Sequence, residues 1–177
     1  MLEIYAGSQA LRTIKEQGLH ADLFDIMLGA SGGPKWFTLF GLDKYLFGEF
    51  FKDRASELNL IGSSAGAFRF AALAQQQPVE AISKLAKHYS ETVYSKNANA
   101  AEVTEKAEEL LQHVYGSEGI TQLLSNDVIK PHFIVAKCHG LTASENKIGQ
   151  LLGLASSMAL NKCSRRLLNW QYQRFVF

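Results

Sequence analysis

The chain is short of several things that would assign it quickly. Its 177 residues hold two cysteines, Cys138 and Cys163. Neither sits in a CxxC or another metal-ligand spacing, which points to a reduced, cytoplasmic setting. No run of eighteen or more apolar residues exists, so no membrane-spanning helix is expected. Met1 to Gly7 lacks a basic stretch followed by an apolar core, and no signal peptide is expected there. Charge of either sign is not in excess: 18 basic and 17 acidic residues leave a net charge of +1. That balance argues against a nucleic-acid partner. There is no internal repeat and no low-complexity segment.

What remains is an ordinary soluble composition, 47% apolar and 20% charged, long enough to bury one sizeable core. Aromatic residues reach 11%, with eleven phenylalanines. Capping and periodicity predict a helix over 8–18 and a short strand over 24–28. A small-residue turn, Gly29 to Lys35, comes next. A helix over 36–51 follows, apolar on most of its circumference. A second strand over 58–61 runs into a helix over 65–75. Further helices are predicted over 78–94, 102–115, 120–124 and 146–159. A third strand over 132–138 follows the breaker Pro131, and 174–177 reads as the start of a fourth. Strand, turn and helix in alternation predict an α/β domain, a mostly parallel sheet with helices on both faces.

The second strand ends in Gly62-Ser63-Ser64-Ala65-Gly66, a G-x-S-x-G nucleophile elbow. Such a corner needs Gly62 and Gly66 so that strand and helix can close on each other. It exposes the Ser64 hydroxyl above a helix N-terminus, where negative charge is favoured. The first turn, Ser31-Gly32-Gly33-Pro34-Lys35, offers backbone N–H groups free of bulky side chains. Both turns lie at carboxyl ends of predicted strands, where open α/β sheets bind ligands. Together they supply a nucleophile at Ser64 and an oxyanion hole at Gly32 and Gly33, with Lys35 adding positive charge. No metal or organic cofactor is called for.

Other readings of the same residues stand beside this one. The turns can be plain tight turns, with Lys35 a solvated cation. Gly-Ala-Ser-Gly-Gly after a first strand also suits a nucleotide-binding Rossmann domain. Against that, Lys35 or Trp36 replaces the closing glycine and the second strand lacks a terminal acidic residue. His139, just past the third strand, is the best-placed histidine for a Ser–His–acid arrangement. The aromatic helix over 36–51 could face lipid, but lacking a strongly polar face it reads better as a core helix. Lys162, Arg165, Arg166 and Arg174 form a basic cluster, read as a solvated face or a phospholipid headgroup site.

Gly32-Gly33-Pro34-Lys35 and Gly62-Ser63-Ser64-Ala65-Gly66, in register on matching elements, resemble the patatin-like phospholipases. The runs from Leu28 to Trp36 and from Leu60 to Gln75 look like one bacterial branch of that family. The resemblance implies a three-layer α/β/α fold and lipid acyl-ester hydrolysis, with a lipid or acyl-ester substrate at a membrane surface. It also implies a Ser–Asp dyad whose aspartate lies in a downstream D-G-[GA] motif. This chain has no D-G pair, and Ser31 and Trp36 replace two glycines of the fuller first motif. Asp22, Asp25, Asp43, Asp53 and Asp127 all precede the carboxyl end of any late strand. Residues 1–177 are therefore expected to be the N-terminal portion of a single patatin-like domain, inactive on its own. The alternative is a non-catalytic patatin-like interaction protein.

Overall fold

A computed structural model describes residues 3–177. Four strands make one sheet in the order β1 (Ile26–Gly29), β2 (Leu58–Gly62), β3 (Ile129–Cys138) and β4 (Tyr172–Val176). β1, β2 and the first half of β3 run parallel, with Gly29 opposite Gly62 and Gly62 opposite Phe133. β4 runs antiparallel to the outer half of β3, pairing Ile134 with Val176 and Cys138 with Tyr172. The expected α/β architecture with a mostly parallel sheet is the one observed. Seven α-helices accompany it: α1 (Ser8–Gln17), α2 (Phe40–Tyr45), α3 (Ala65–Leu73), α4 (Pro78–Glu91), α5 (Ala100–Tyr115), α6 (Gly119–Leu124) and α7 (Lys147–Cys163).

The core lies on one face of the sheet. Leu58 and Leu60 of β2 point into it, joined by Phe70, Leu73, Ile82, Leu85 and Leu110 from α3, α4 and α5. The positions where Gly29 and Gly62 would carry a Cβ point at α3, so α3 packs on this face. α4 packs on α3 and α5 on α4. The opposite face carries Ile26 and Leu28, the latter 77% exposed. Helical cover was expected on both faces and is closed over one of them.

Two expected elements take other forms. The single helix expected over 36–51 is a tight 3-10 turn (Gly33–Leu39), a short α2 and a widened π turn (Leu46–Phe50). Its close is marked by Phe51 N–H donating to the Leu46 carbonyl, at 2.7 Å. Aromatic crowding accounts for the change of pitch. Trp36 and Phe37 stack at 4.5 Å, while the π turn splays Phe50 and Phe51 around Phe24. Trp36, Phe47 and Phe51 are buried, so this segment is core, as its want of a polar face suggested.

Pro131, expected to precede β3, lies inside it, opposite Leu60. β4 begins its pairing only at Phe133, so the outer edge of β3 at Pro131 has no neighbour, and a missing N–H leaves no gap in a ladder.

Candidate active site

Ser64 is the one non-glycine residue with positive φ among the described residues, at φ 49° and ψ −126°. A serine held there costs on the order of 1–3 kcal/mol and persists only where the surroundings enforce it. They do so through glycine. A Cβ on Gly66 would stand 2.9 Å from the Gly29 Cα and closer still to its carbonyl, and one on Gly62 would stand 2.7 Å from the Gly66 backbone. Strand β1, strand β2 and helix α3 therefore meet main chain to main chain, and the corner between β2 and α3 has no room to relax. The Ser64 side chain is exposed at the N-terminus of α3.

The two turns come together on one rim. Ser31 Oγ and Ser63 Oγ lie 2.6 Å apart, and Ser63 N–H donates to the Gly29 carbonyl at 3.3 Å. Gly33 has φ +52°, which turns the chain sharply at the first residue of the 3-10 segment, with Pro34 next. Lys35 N–H donates to the Gly32 carbonyl at 3.2 Å, so this backbone donor is already used. The Lys35 side chain is exposed. The N–H groups of Gly32 and Gly33 have no acceptor among the described residues. Nor has that of Ala65, a donor passed over in reading the sequence, although its place directly after the nucleophile is the signal for it.

A third group stands at the turn. The Tyr89 hydroxyl of α4 lies 4.0 Å from where a Gly33 Cβ would be. Its ring is gripped edge-on by Trp36 at 5.9 Å and Phe37 at 5.7 Å. Burial, and secondarily the neighbouring Tyr94, holds the Tyr89 phenol above its ordinary pKa, so it is a protonated donor at neutral pH.

No carboxylate or imidazole touches the Ser64 hydroxyl among the described residues. His139 is not its base. It lies six residues beyond Phe133, the level at which Gly62 is paired, or about 20 Å along the strand. There its N–H donates to the Gln171 carbonyl at 2.9 Å. The aspartates are placed elsewhere. Asp43 binds Arg69, Asp22 accepts from Ser56, and Asp127 faces Lys130 at 3.8 Å. Asp25 is at the amino end of β1, and Asp53 follows the π turn. The buried pair Asp43–Arg69 does serve the site indirectly. Arg69 lies on α3 and makes a two-point contact with Asp43 of α2, at 2.8 and 2.5 Å. This fixes α3, the helix that follows Ser64, against the segment that follows the glycine turn.

The cysteines are unpaired and exposed, and no group of three or more metal-ligating side chains is found among the described residues. The same residues contain no helix long and apolar enough to cross a membrane. Arg165, Arg166, Arg174 and Lys162 are all exposed. Comparison with known proteins gives no matching family model, no matching curated protein and no matching solved structure.

Proposed function

We propose that the chain is a serine acyl-ester hydrolase of patatin-like type, acting on lipid esters. The observation that carries the reading is the backbone of Ser64: the one positive φ of a non-glycine among the described residues, at a strand-to-helix corner enforced by three glycines. Ser64 Oγ adds to the ester carbonyl carbon. The oxyanion is received by the free N–H groups of Gly32, Gly33 and Ala65. Collapse of the adduct releases the alcohol, which leaves with the serine's proton, and water then frees the acid from Ser64. Each oxyanion donor contributes about 3 kcal/mol in enzymes of this kind. Donors and binding without a base typically retain about 10³–10⁴-fold acceleration over water.

One observation favours a second reading, a non-catalytic patatin-like interaction protein: the Ser64 hydroxyl has no acid–base partner among the described residues. An ethyl fluorophosphonate probe separates the two. The hydrolase reading expects covalent labelling of the folded protein that disappears in Ser64→Ala. A folded protein that is not labelled fits the second reading or a chain idle for want of the dyad aspartate, and labelling restored in a longer chain carrying a D-G-[GA] segment separates these two.

A further inference from the structure

Beside the glycine turn, starting at Pro34, lies a hollow that the chemistry above does not use. Its volume is about 370 Å³, and its walls include Pro34, Phe68 of α3, Tyr89 of α4, and Val103, Ala107 and Leu110 of α5. Three links tie it to the nucleophile. Pro34 directly follows Gly33. Phe68 stands in the first turn of α3, its N–H donating to the Ser64 carbonyl at 3.2 Å. The Tyr89 hydroxyl is at the Gly33 end. Two larger hollows, of about 580 and 700 Å³, share no residue with either turn.

The chemistry of the walls narrows the occupant. Most of the lining is aliphatic or aromatic. Its polar groups are largely spent: Thr92 donates to the His88 carbonyl at 2.8 Å, and Lys106 is paired with Glu109 at 2.8 Å. No free cation is left to hold a phosphate and no array of donors to read a sugar. Two phenol hydroxyls remain, those of Tyr89 and Tyr94, neither with a hydrogen-bond partner among the described residues, and that of Tyr89 stands at the end beside the oxyanion turn. An unbranched hydrocarbon ending in a carbonyl fits that distribution.

We propose that this cavity between α3, α4 and α5 holds the acyl chain of the ester attacked by Ser64, with the Tyr89 hydroxyl at its carbonyl end. The volume also sets a limit. At about 30 Å³ per water-sized group, it takes roughly a dozen methylene-sized units, a medium-length chain. The assignment of the ester rests on the hydrolase reading, but occupation of the cavity is testable without turnover.

The experiment is calorimetric titration of the full chain and of Ser64→Ala with saturated fatty acids of eight, twelve and sixteen carbons. Affinity is expected to rise about fourfold per added methylene up to dodecanoate and to stop rising before hexadecanoate. Ala107→Phe fills the cavity from α5, and Val103→Trp fills it from a more exposed position that tolerates bulk. Each is expected to weaken dodecanoate at least tenfold and octanoate much less, with circular dichroism confirming the fold. Failure of the folded protein to bind dodecanoate overturns the proposal, and so does binding that neither filled variant weakens. Labelling by the ethyl probe, too short to need the cavity, reports on Ser64 separately. Labelling without dodecanoate binding removes the cavity proposal alone. Dodecanoate binding without labelling leaves a fatty-acid site beside a serine that this chain alone does not activate, and upholds the cavity proposal.

Discussion

Helices α3 and α7 are both rich in apolar residues and have opposite fates. α3 has nine residues and buries seven; α7 has seventeen and buries Gly153 alone. Ile148, Leu151, Leu152 and Met158 of α7 stand in solvent, Leu151 at 66% exposure, whereas Phe70 of α3 is 1% exposed. The inward side of α7 is instead small and polar. Gly153 fits against the Leu141–Thr142 backbone, and Ser156 and Ser157 bond to Gln171, with Tyr172 also reaching Ser157. Apolar content alone does not bury a helix; a partner surface does. The site belongs to the half of the molecule that has one. Its geometry is held by β1, β2, the inner half of β3 and the helices stacked on them, and none of its groups comes from α7 or β4.

This contrast is open to test by substitution. The largest loss is expected at the buried pair. Asp43→Ala strands the Arg69 guanidinium in the core and should lower unfolding free energy by about 3–5 kcal/mol in a urea titration. A smaller but more pointed effect is expected from Gly66→Ala. The added methyl has no space against Gly29, and the repacking should cost about 1–3 kcal/mol. Because the shift falls on the elbow, labelling of Ser64 should drop further than stability does. The smallest effect belongs to α7: Leu151→Ala should stay within about 0.5 kcal/mol, as expected for an exposed position. A Leu151→Ala loss near that of Asp43→Ala would erase the distinction between the halves.

What could be read from the sequence follows the range of the forces involved. The elbow was legible because its requirements are local: two glycines two places either side of a serine, between an apolar strand and an apolar helix. The glycine turn, and its place on the same rim, followed from the parallel strand–helix alternation. The segment after that turn was not legible as three pitches of helix. Its hydropathy is that of one buried helix, and ring packing against Phe24 and Tyr89, distant in the chain, decides the winding. Pro131 misled for a similar reason. A proline breaks a strand only where its N–H is wanted, and that depends on which part of β3 is paired with β4. The Tyr89 hydroxyl and the cavity beside it arise from the packing of α4 on α5, so no short motif announces them. His139, the best-placed histidine by order in the chain, is carried away from Ser64 because β3 runs on past the end of β2.

The glycines at the elbow are not equally free to change. A side chain at Gly29 would meet the Phe70 ring at 2.6 Å, and at Gly48 it would meet Val79 at 2.7 Å. The Gly48 conflict involves a side chain alone, so a smaller residue at 79 can make room and the two positions can covary; at Gly29 the Gly66 Cα also stands 3.1 Å away, so trimming Phe70 relieves only part of the conflict. At Gly62 and Gly66 the obstacle is main chain, which no second substitution can trim. Any lineage or library that keeps this corner must keep those two glycines, whatever else it exchanges around them.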